Sequence, residues 1–274
     1  KHINRSGFYL NQIGYEFDMY KSLEEGEAPQ RIIETNGQAI HLQAFTQSKF
    51  SLSNKLVINA GVHYQHFFLN DNYSIEPRIG LKYTINENHS IGLAHGLHSR
   101  LEILPVYFVE KNEKKVNRNL DFMQSSHYIF SYNLKLSEYL RLIVEPYYQR
   151  LHNVPVSPTN YISTLNIENN IFFDEELVGT GSGKNIGIDF TLERFLKNGA
   201  YYLLTASLFD SKYTGADDVE RNTRFNKNYV FNFLVGKEWS IGKKKNDIFS
   251  ANLRLNYAGG NRMEPIDESA SLQA

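Results

Sequence analysis

At 274 residues the chain is long enough for one large domain or two ordinary ones, and its net charge of -1 excludes the electrostatic grip that nucleic-acid binding needs. The absence of cysteine excludes disulfides and thiolate chemistry. Eighteen Tyr and eighteen Phe against seven Pro favour strands. No apolar run approaches the roughly 20 residues of a transmembrane helix, which leaves a membrane barrel open because its strands are only half apolar. The start at Lys1-His2-Ile3, without Met or a signal peptide, reads as a processed or excised piece.

Ile13, Tyr15, Phe17 and Met19 recur at every second position, the signature of a strand with one apolar face. A polar loop is expected from about Lys21 to Gly37. Ile40, Leu42, Ala44 and Thr46 then lead to a turn at Ser53-Asn54-Lys55, and Leu56, Ile58, Ala60, Val62 and Tyr64 lead away from it. A short cap at Asn70-Asp71-Asn72 precedes Ile75, Ile79, Leu81, Tyr83 and Ile85. The chain turns at Asn86-Glu87-Asn88 and returns through Ile91, Leu93 and Leu97. A long loop, about Ser99 to Asp121, opens onto the clearest hairpin. There Tyr128, Phe130, Tyr132, Leu134 and Leu136 alternate down to Ser137-Glu138-Tyr139, and Leu140, Leu142, Val144 and Tyr148 alternate back. A three-residue connection puts Leu136 opposite Leu140 and Tyr132 opposite Val144, keeping the apolar faces together, whereas a two-residue turn would put Leu134 and Leu136 on the same face as Tyr139 and Arg141, so the pattern selects the odd turn.

After a second long loop, His152 to Gly183, come Ile186, Ile188, Phe190 and Leu192, a turn at Lys197-Asn198-Gly199, and Tyr202, Leu204, Ala206 and Leu208. The loop from Ser211 to Asn228 leads to Tyr229, Phe231, Phe233 and Val235. The turn from Gly242 to Asp247 leads to Phe249, Ala251, Leu253, Leu255 and Tyr257. No long segment shows the 3.6-residue recurrence of a helix. The expectation is an all-β, antiparallel up-and-down meander of about eleven strands, with tight turns at one end and long loops at the other.

Alternation alone does not say whether the apolar face meets lipid or a packed core. Strands of about 10 residues, loops long at one end only, and a polar face bearing Glu76, Arg78, Lys82, Lys135, Arg141, Glu145, Asp189, Glu193 and Arg254 favour a transmembrane barrel around a polar lumen. Tyr83, Tyr139, Tyr202, Trp239 and Tyr257 lie near strand ends, where an aromatic girdle would sit. An odd number of strands and a polar end, Ser271-Leu272-Gln273-Ala274, read as part of a larger barrel.

Sites of chemistry are few. Gly179-Thr180-Gly181-Ser182-Gly183-Lys184 lacks the glycine spacing and the hydroxyl residue of a phosphate loop, with Val178 and Asn185 at the deciding positions, and reads as a flexible loop re-entering a strand. His95 and His98, three apart in a strand, point to opposite faces and cannot share a metal. Ser90, His98 and Asp189 form no more than an arbitrary trio, so no catalytic, cofactor-binding or metal residue is expected and the chain reads as a non-enzyme. Binding residues concentrate in loops, so the loops are the more plausible functional surface, with a simply folded, solvated loop as the equal alternative and no residue given a binding role. Leu104-Pro105-Val106-Tyr107-Phe108 with Glu110, Lys111, Lys114 and Lys115 lie in one, and Asn160, Tyr161, Asn169, Asn170 and Phe172 in the other.

Several phrases carry a resemblance. They are Glu76-Pro77-Arg78-Ile79-Gly80-Leu81, His95-Gly96-Leu97-His98-Ser99, and Glu145-Pro146-Tyr147-Tyr148-Gln149 with Asn153-Val154-Pro155-Val156. Further along come Gly187-Ile188-Asp189 through Leu192-Glu193-Arg194, Tyr201 through Tyr213, Arg221-Asn222-Thr223-Arg224-Phe225-Asn226, Gly236-Lys237-Glu238-Trp239 and Gly259-Gly260-Asn261-Arg262. From about residue 70 to residue 267 the chain resembles TonB-dependent receptors of the outer membrane, in their Bacteroidetes version. The resemblance implies a 22-stranded barrel in the outer membrane of a Gram-negative bacterium, plugged by an N-terminal globular domain. It implies import of a scarce nutrient (siderophore, cobalamin, glycan or peptide) with energy from the TonB complex. Partners on that reading are outer-membrane lipid, the plug of the same full-length protein, TonB and an unidentified nutrient, with no cofactor and no nucleic acid. Residues 1–274 are expected to be barrel wall, with the plug and TonB box outside them. The rivals are a passive or structural barrel and a soluble β protein that binds carbohydrate.

Overall fold

The computed structural model describes residues 1–22, 28–111, 113–166, 174–244 and 246–262. Its strands are β1 (His2–Lys21), β2 (Gln30–Ser51), β3 (Leu56–Phe67), β4 (Asn72–Thr84), β5 (His89–Arg100), the two-residue β6 (Glu110–Lys111) and β7 (Lys114–Lys115), β8 (Met123–Ser137), β9 (Leu140–Val156), β10 (Val178–Lys197), β11 (Ala200–Thr214), β12 (Glu220–Asn222), β13 (Tyr229–Ile241) and β14 (Asp247–Ala258). Two short 3-10 turns, Leu104–Phe108 and Thr164–Asn166, are the helical elements among the described residues. The eleven long strands lie side by side in chain order, each antiparallel to the next, from β1 at one edge to β14 at the other. These are the eleven alternating segments of the sequence.

Register follows the apolar pattern. Leu134 pairs with Leu142 and Tyr132 with Val144, but the turn between them differs from the three-residue connection expected. Ser137 pairs with Leu140 across a two-residue turn, and a bulge at Leu136 supplies the missing residue. The bulge keeps the apolar faces in phase, and the Ser137 hydroxyl accepts a hydrogen bond from Tyr139 N at 3.3 Å. The β10–β11 hairpin repeats this solution, with a bulge between Arg194 and Lys197. Its turn residues Asn198 and Gly199 sit at φ 54° and 68°, the two left-handed positions of a type I′ turn.

Several strands run further than the alternation showed. Residues 30–37, expected as loop, belong to β2, and Gly179–Lys184, expected as a flexible loop, belong to β10. Lys184 there forms an ion pair with Glu220 at 2.5 Å. Outside the apolar band the outer face of a strand meets water, so period-two patterning fades while the backbone ladder continues.

The pairings assign every side chain to one of two faces. One carries Ile75, Ile79, Leu81, Leu93, Tyr128, Phe130, Ile186, Leu253 and Leu255, all exposed. The opposite face carries Ser74 and Glu76, which are buried. This inverts the burial of a soluble sheet and fits a barrel wall whose apolar side is its outside. Two aromatic rows bound that side: Tyr64, Tyr73, Tyr128, Tyr148, Tyr229 and Tyr257 toward the loops, and Phe50, Tyr83, Tyr139, Trp239 and Phe249 toward the turns. Neighbours in a row touch, with ring centroids 6.3 Å apart for Tyr64–Tyr73, 6.2 Å for Tyr128–Tyr148 and 5.6 Å for Trp239–Phe249. Tyr73 and Tyr83 bracket about 33 Å of strand, which a barrel tilt reduces to about 25 Å, the height of a lipid-facing band.

Among the described residues a conventional core lies at the loop end, on the inner face. Phe67, Ile33, Ala39 and Met19 pack there against Val106, Tyr107, Phe108 and Val109 from the β5–β8 loop, joined by Leu120, Phe122 and Leu177. Tyr15 and Phe17 pack against this cluster, with Tyr15 4.7 Å from Phe108 between ring centroids. The alternating face Ile13–Met19 is therefore an inner one, in contrast to the outward apolar faces of the later strands.

Candidate ligand-facing wall and its loops

Cross-strand pairing of His63 with Glu76 and of Gln65 with Ser74 places a polar cluster on the inner wall just below the core. The Glu76 carboxylate is buried and fully engaged. It accepts from Gln65 Nε2 at 2.5 Å, Arg78 Nη2 at 2.7 Å, Ser99 N at 3.2 Å and the Ser99 hydroxyl, with His63 Nδ1 at 3.0 Å. A carboxylate so held is a structural anchor, since every acceptor direction is occupied. Beside it the His98 and His127 rings touch at a 39° tilt with centroids 4.5 Å apart. A groove of about 480 Å³ separates Tyr9 and Phe45 from Arg78, His63, His98 and His127. Glu76 and Arg78 were expected on the polar face, whereas His63, Gln65 and His127 were not singled out; the signal was the period-two position opposite them.

Further toward the turns the inner face continues as hydrogen-bonded pairs. Arg141 donates to Glu193 at 2.7 Å, Ser207 to Asp189 at 2.5 Å, Tyr201 to Asn252 at 2.9 Å and Asn232 to Thr205 at 3.0 Å. These pairs fit a wet or plugged lumen. Ser90, His98 and Asp189 share the inner face but not a site, because eight residues of strand put Ser90 about 26 Å from His98. His95 lies on the outer face, stacked on Tyr128 at 4.6 Å, away from His98.

The loops depart from expectation. In Leu104–Phe108, the side chains of Val106, Tyr107 and Phe108 are buried in the inner core. The β5–β8 loop is folded onto the wall and tied to it, with Asn70 and Asn72 each donating to Leu120 O at 3.0 Å. It is also tied to the β9–β10 loop. The buried Asn117 amide donates to Glu175 O at 2.8 Å and accepts from Leu177 N at 2.8 Å, and Thr164 donates to the Glu102 carboxyl at 3.2 Å. Burial raises the Glu102 pKa, opposed by Arg100 and the Thr164 bond, and burial likewise raises that of Tyr107. Glu110, Lys111, Lys114 and Lys115 remain exposed at the tip. Asn160 caps its own turn through Ile162 N at 2.8 Å, and Tyr161 is exposed beneath the Arg221 guanidinium. Asn169, Asn170 and Phe172 lie outside the described residues.

The phrases Arg221–Asn226 and Gly259–Arg262 meet in space. Arg262 donates to Asn226 O at 3.1 Å and its amide to Arg224 O at 2.8 Å, while the buried Asn226 amide donates to Asp210 at 2.7 Å. Arg221 in turn holds the exposed Asp217 carboxyl low, at about 2.

No protein-family model and no curated protein sequence matches the chain. Solved structures do. The ferric yersiniabactin uptake receptor FyuA of Yersinia pestis matches with a TM-score of 0.67 at 12% identity, over 94% of this chain and 40% of that one. The ferric-catecholate import receptor Fiu of E. coli K12 matches at 0.62 and 8%, over 88% and 40%. The ferric enterobactin receptor PfeA of Pseudomonas aeruginosa matches at 0.59 and 11%, over 91% and 37%. The chain spans about two fifths of the length of these structures. The likeness establishes the fold: an all-β, antiparallel, up-and-down stretch of barrel wall like that of TonB-dependent outer-membrane receptors.

Proposed function

We propose that this chain is barrel wall from a TonB-dependent receptor that imports a scarce nutrient across the outer membrane of a Gram-negative bacterium, without enzymatic activity of its own. The supporting observation is the inverted sheet, apolar and exposed between two aromatic rows outside, polar and hydrogen-bonded inside. A soluble carbohydrate-binding sheet would bury the face that is exposed here. The barrel closes through further strands at β1 and β14, because an unpaired backbone group in hydrocarbon costs several kcal/mol. The plug domain and the TonB contact belong to parts of the full-length protein outside residues 1–274. A ferric siderophore is the first nutrient to test, since the matching structures are named as ferric-siderophore receptors, and cobalamin, glycans and peptides follow.

The experiment is uptake of radiolabelled iron, presented as ferric enterobactin or ferric yersiniabactin, with cobalamin in parallel. It compares cells carrying the full-length protein, cells lacking it, and cells lacking TonB. Uptake lost in both deletions supports the importer. Entry that needs the protein but not TonB identifies a passive barrel instead. Topology is read separately: cysteines at Lys114 and Tyr161 label with an impermeant reagent on intact cells, and a cysteine at Asn54 does not. The opposite labelling inverts the orientation.

A further inference from the structure

One carboxylate on the inner wall serves two places with its two oxygens. Glu76 Oε1 accepts from Ser99 N at 3.2 Å, from the Ser99 hydroxyl and from Gln65 Nε2 at 2.5 Å, and Gln65 Nε2 also reaches Ser99 O at 3.1 Å. Ser99 is the penultimate residue of β5, where the chain enters the β5–β8 loop. With its amide nitrogen turned to Glu76, Gln65 has its carbonyl left to accept from His41 Nε2 at 3.0 Å. The His41 ring lies 6.4 Å from that of Phe122, where the same loop ends. Both roots of the loop therefore rest on Oε1 and its partners.

The other oxygen, Oε2, holds two side chains that line the groove of about 480 Å³: Arg78 through Nη2 at 2.7 Å and His63 through Nδ1 at 3.0 Å. Among the described residues the Arg78 guanidinium donates to Glu76 alone, so Nε and Nη1 remain to donate, and the side chain is 45% exposed. Glycines keep the floor open beside it. A Cβ at Gly96 would stand 3.0 Å from His98 Nε2 and 3.4 Å from Arg78 Cγ, whereas one at Gly80 would meet nothing nearer than Leu93 O at 4.0 Å. The facing wall is aromatic, with the Tyr9 and Phe45 rings stacked 6.3 Å apart between centroids. The volume falls at the small end of the range for small-molecule pockets.

We propose that the groove takes an aromatic carboxylate, its anionic group on Arg78 and its ring against Tyr9 and Phe45, and that Glu76 transmits occupancy to the β5–β8 loop. Arg78 and Glu76 neutralise each other, so net charge does not hold the ligand. Directed N–H donors together with the aromatic wall do, which selects an aromatic carboxylate over a simple inorganic anion. A ligand that fixes Arg78 fixes one of the two partners of Oε2, and the steadier carboxylate holds Ser99 more firmly on Oε1. Occupancy thus tightens the loop. The groove's place in the lumen rests on the receptor reading above, which a ligand class and a coupling residue deepen.

The test titrates the full-length protein, purified in detergent, with benzoate, and with benzyl alcohol and inorganic phosphate as controls. Calorimetry reads binding, and hydrogen exchange reads residues 101–122. Benzoate is expected to bind and, at saturation, to slow that exchange about five-fold, the low end of usual coupling between sites. Benzyl alcohol and phosphate do neither. R78Q weakens benzoate binding about tenfold, as loss of a hydrogen bond to a charged group does. S99A removes one bond to Oε1 and leaves the groove intact, so it binds benzoate as the wild type does while its loop responds less. Heat-modifiable migration shows that each variant is folded. Absent benzoate binding, equal binding of either control, an unchanged R78Q, binding without slowed exchange, or a full response in S99A overturns the proposal. The uptake experiment separates the two failures: a protein that imports iron through TonB and ignores benzoate retains the receptor reading and loses the groove. A protein that does neither loses both.

Discussion

The band between the aromatic rows and the loop end above it use the same alternation and bury opposite faces. In the band, Leu81, Leu93, Phe130 and Leu255 are exposed on the outer face, and hydrogen-bonded pairs such as Arg141–Glu193 line the inner one. At the loop end, Phe67, Ile33, Met19 and Phe108 form a dry cluster on the inner face. The strand geometry is common to both regions, so what covers a face decides its chemistry. None of the described residues covers the outer band, whose apolar surface suits lipid, whereas the β5–β8 loop covers the inner face at the loop end and forms an ordinary hydrophobic core there.

The largest test of this contrast removes the core under the loop. Phe108→Ala should cost about 3–5 kcal/mol of local stability, releasing residues 101–122 to proteolysis and hydrogen exchange while the strands of the band stay protected. Loss of protection throughout the band would show that the two regions are one cooperative unit. Next in size, Leu142→Arg should cost about 2–4 kcal/mol of folding into bilayers if it lies near the midplane. Asn133→Arg, on the inner face, should be tolerated. Equal tolerance of both changes in a bilayer folding titration of the full-length protein would remove the lipid-facing assignment.

Asn117→Ala sharpens the comparison at the junction of the two loops. It leaves Leu177 N and Glu175 O without their buried partner and should cost about 1–3 kcal/mol, read as faster exchange of the Leu177 amide. The smallest effect is pH-dependent. Burial favours the neutral acid of Glu102, so its folded pKa stands above its unfolded value. The stabilisation is full below the unfolded pKa and is lost as pH rises through the folded one. Exchange of residues 101–122 should therefore quicken as pH climbs through that window, after correction for intrinsic exchange rates. In Glu102→Gln that quickening should disappear. A variant with the wild-type pH profile would place the titrating group elsewhere.

Much of this was legible in the residues. Period-two alternation located all eleven long strands, and the apolar register across Leu134–Leu142 and Leu192–Leu204 is the one observed. That logic works because one face of each strand is chemically distinct in the band. It fails beyond the band, where the outer face meets water, so the ladder through residues 30–37 and 178–185 carried no pattern. It also missed Leu104–Phe108, where an aromatic run in a polar loop suggested a ligand surface. The sequence does not reveal that Tyr107 and Phe108 have a partner surface in Phe67, Ile33 and Tyr15, some forty to ninety residues earlier.

Local chemistry in the chain thus determined the strands and their antiparallel order. The tertiary structure decided which face each strand buries, how bulges at Leu136 and beyond Arg194 restore register across two-residue turns, and which polar residues converge. Glu76 with Gln65 and Ser99, and Arg150 with Lys184 and Lys212, come together only through pairings between strands. Side-chain period is local to a strand, whereas cover and convergence belong to the sheet as a whole.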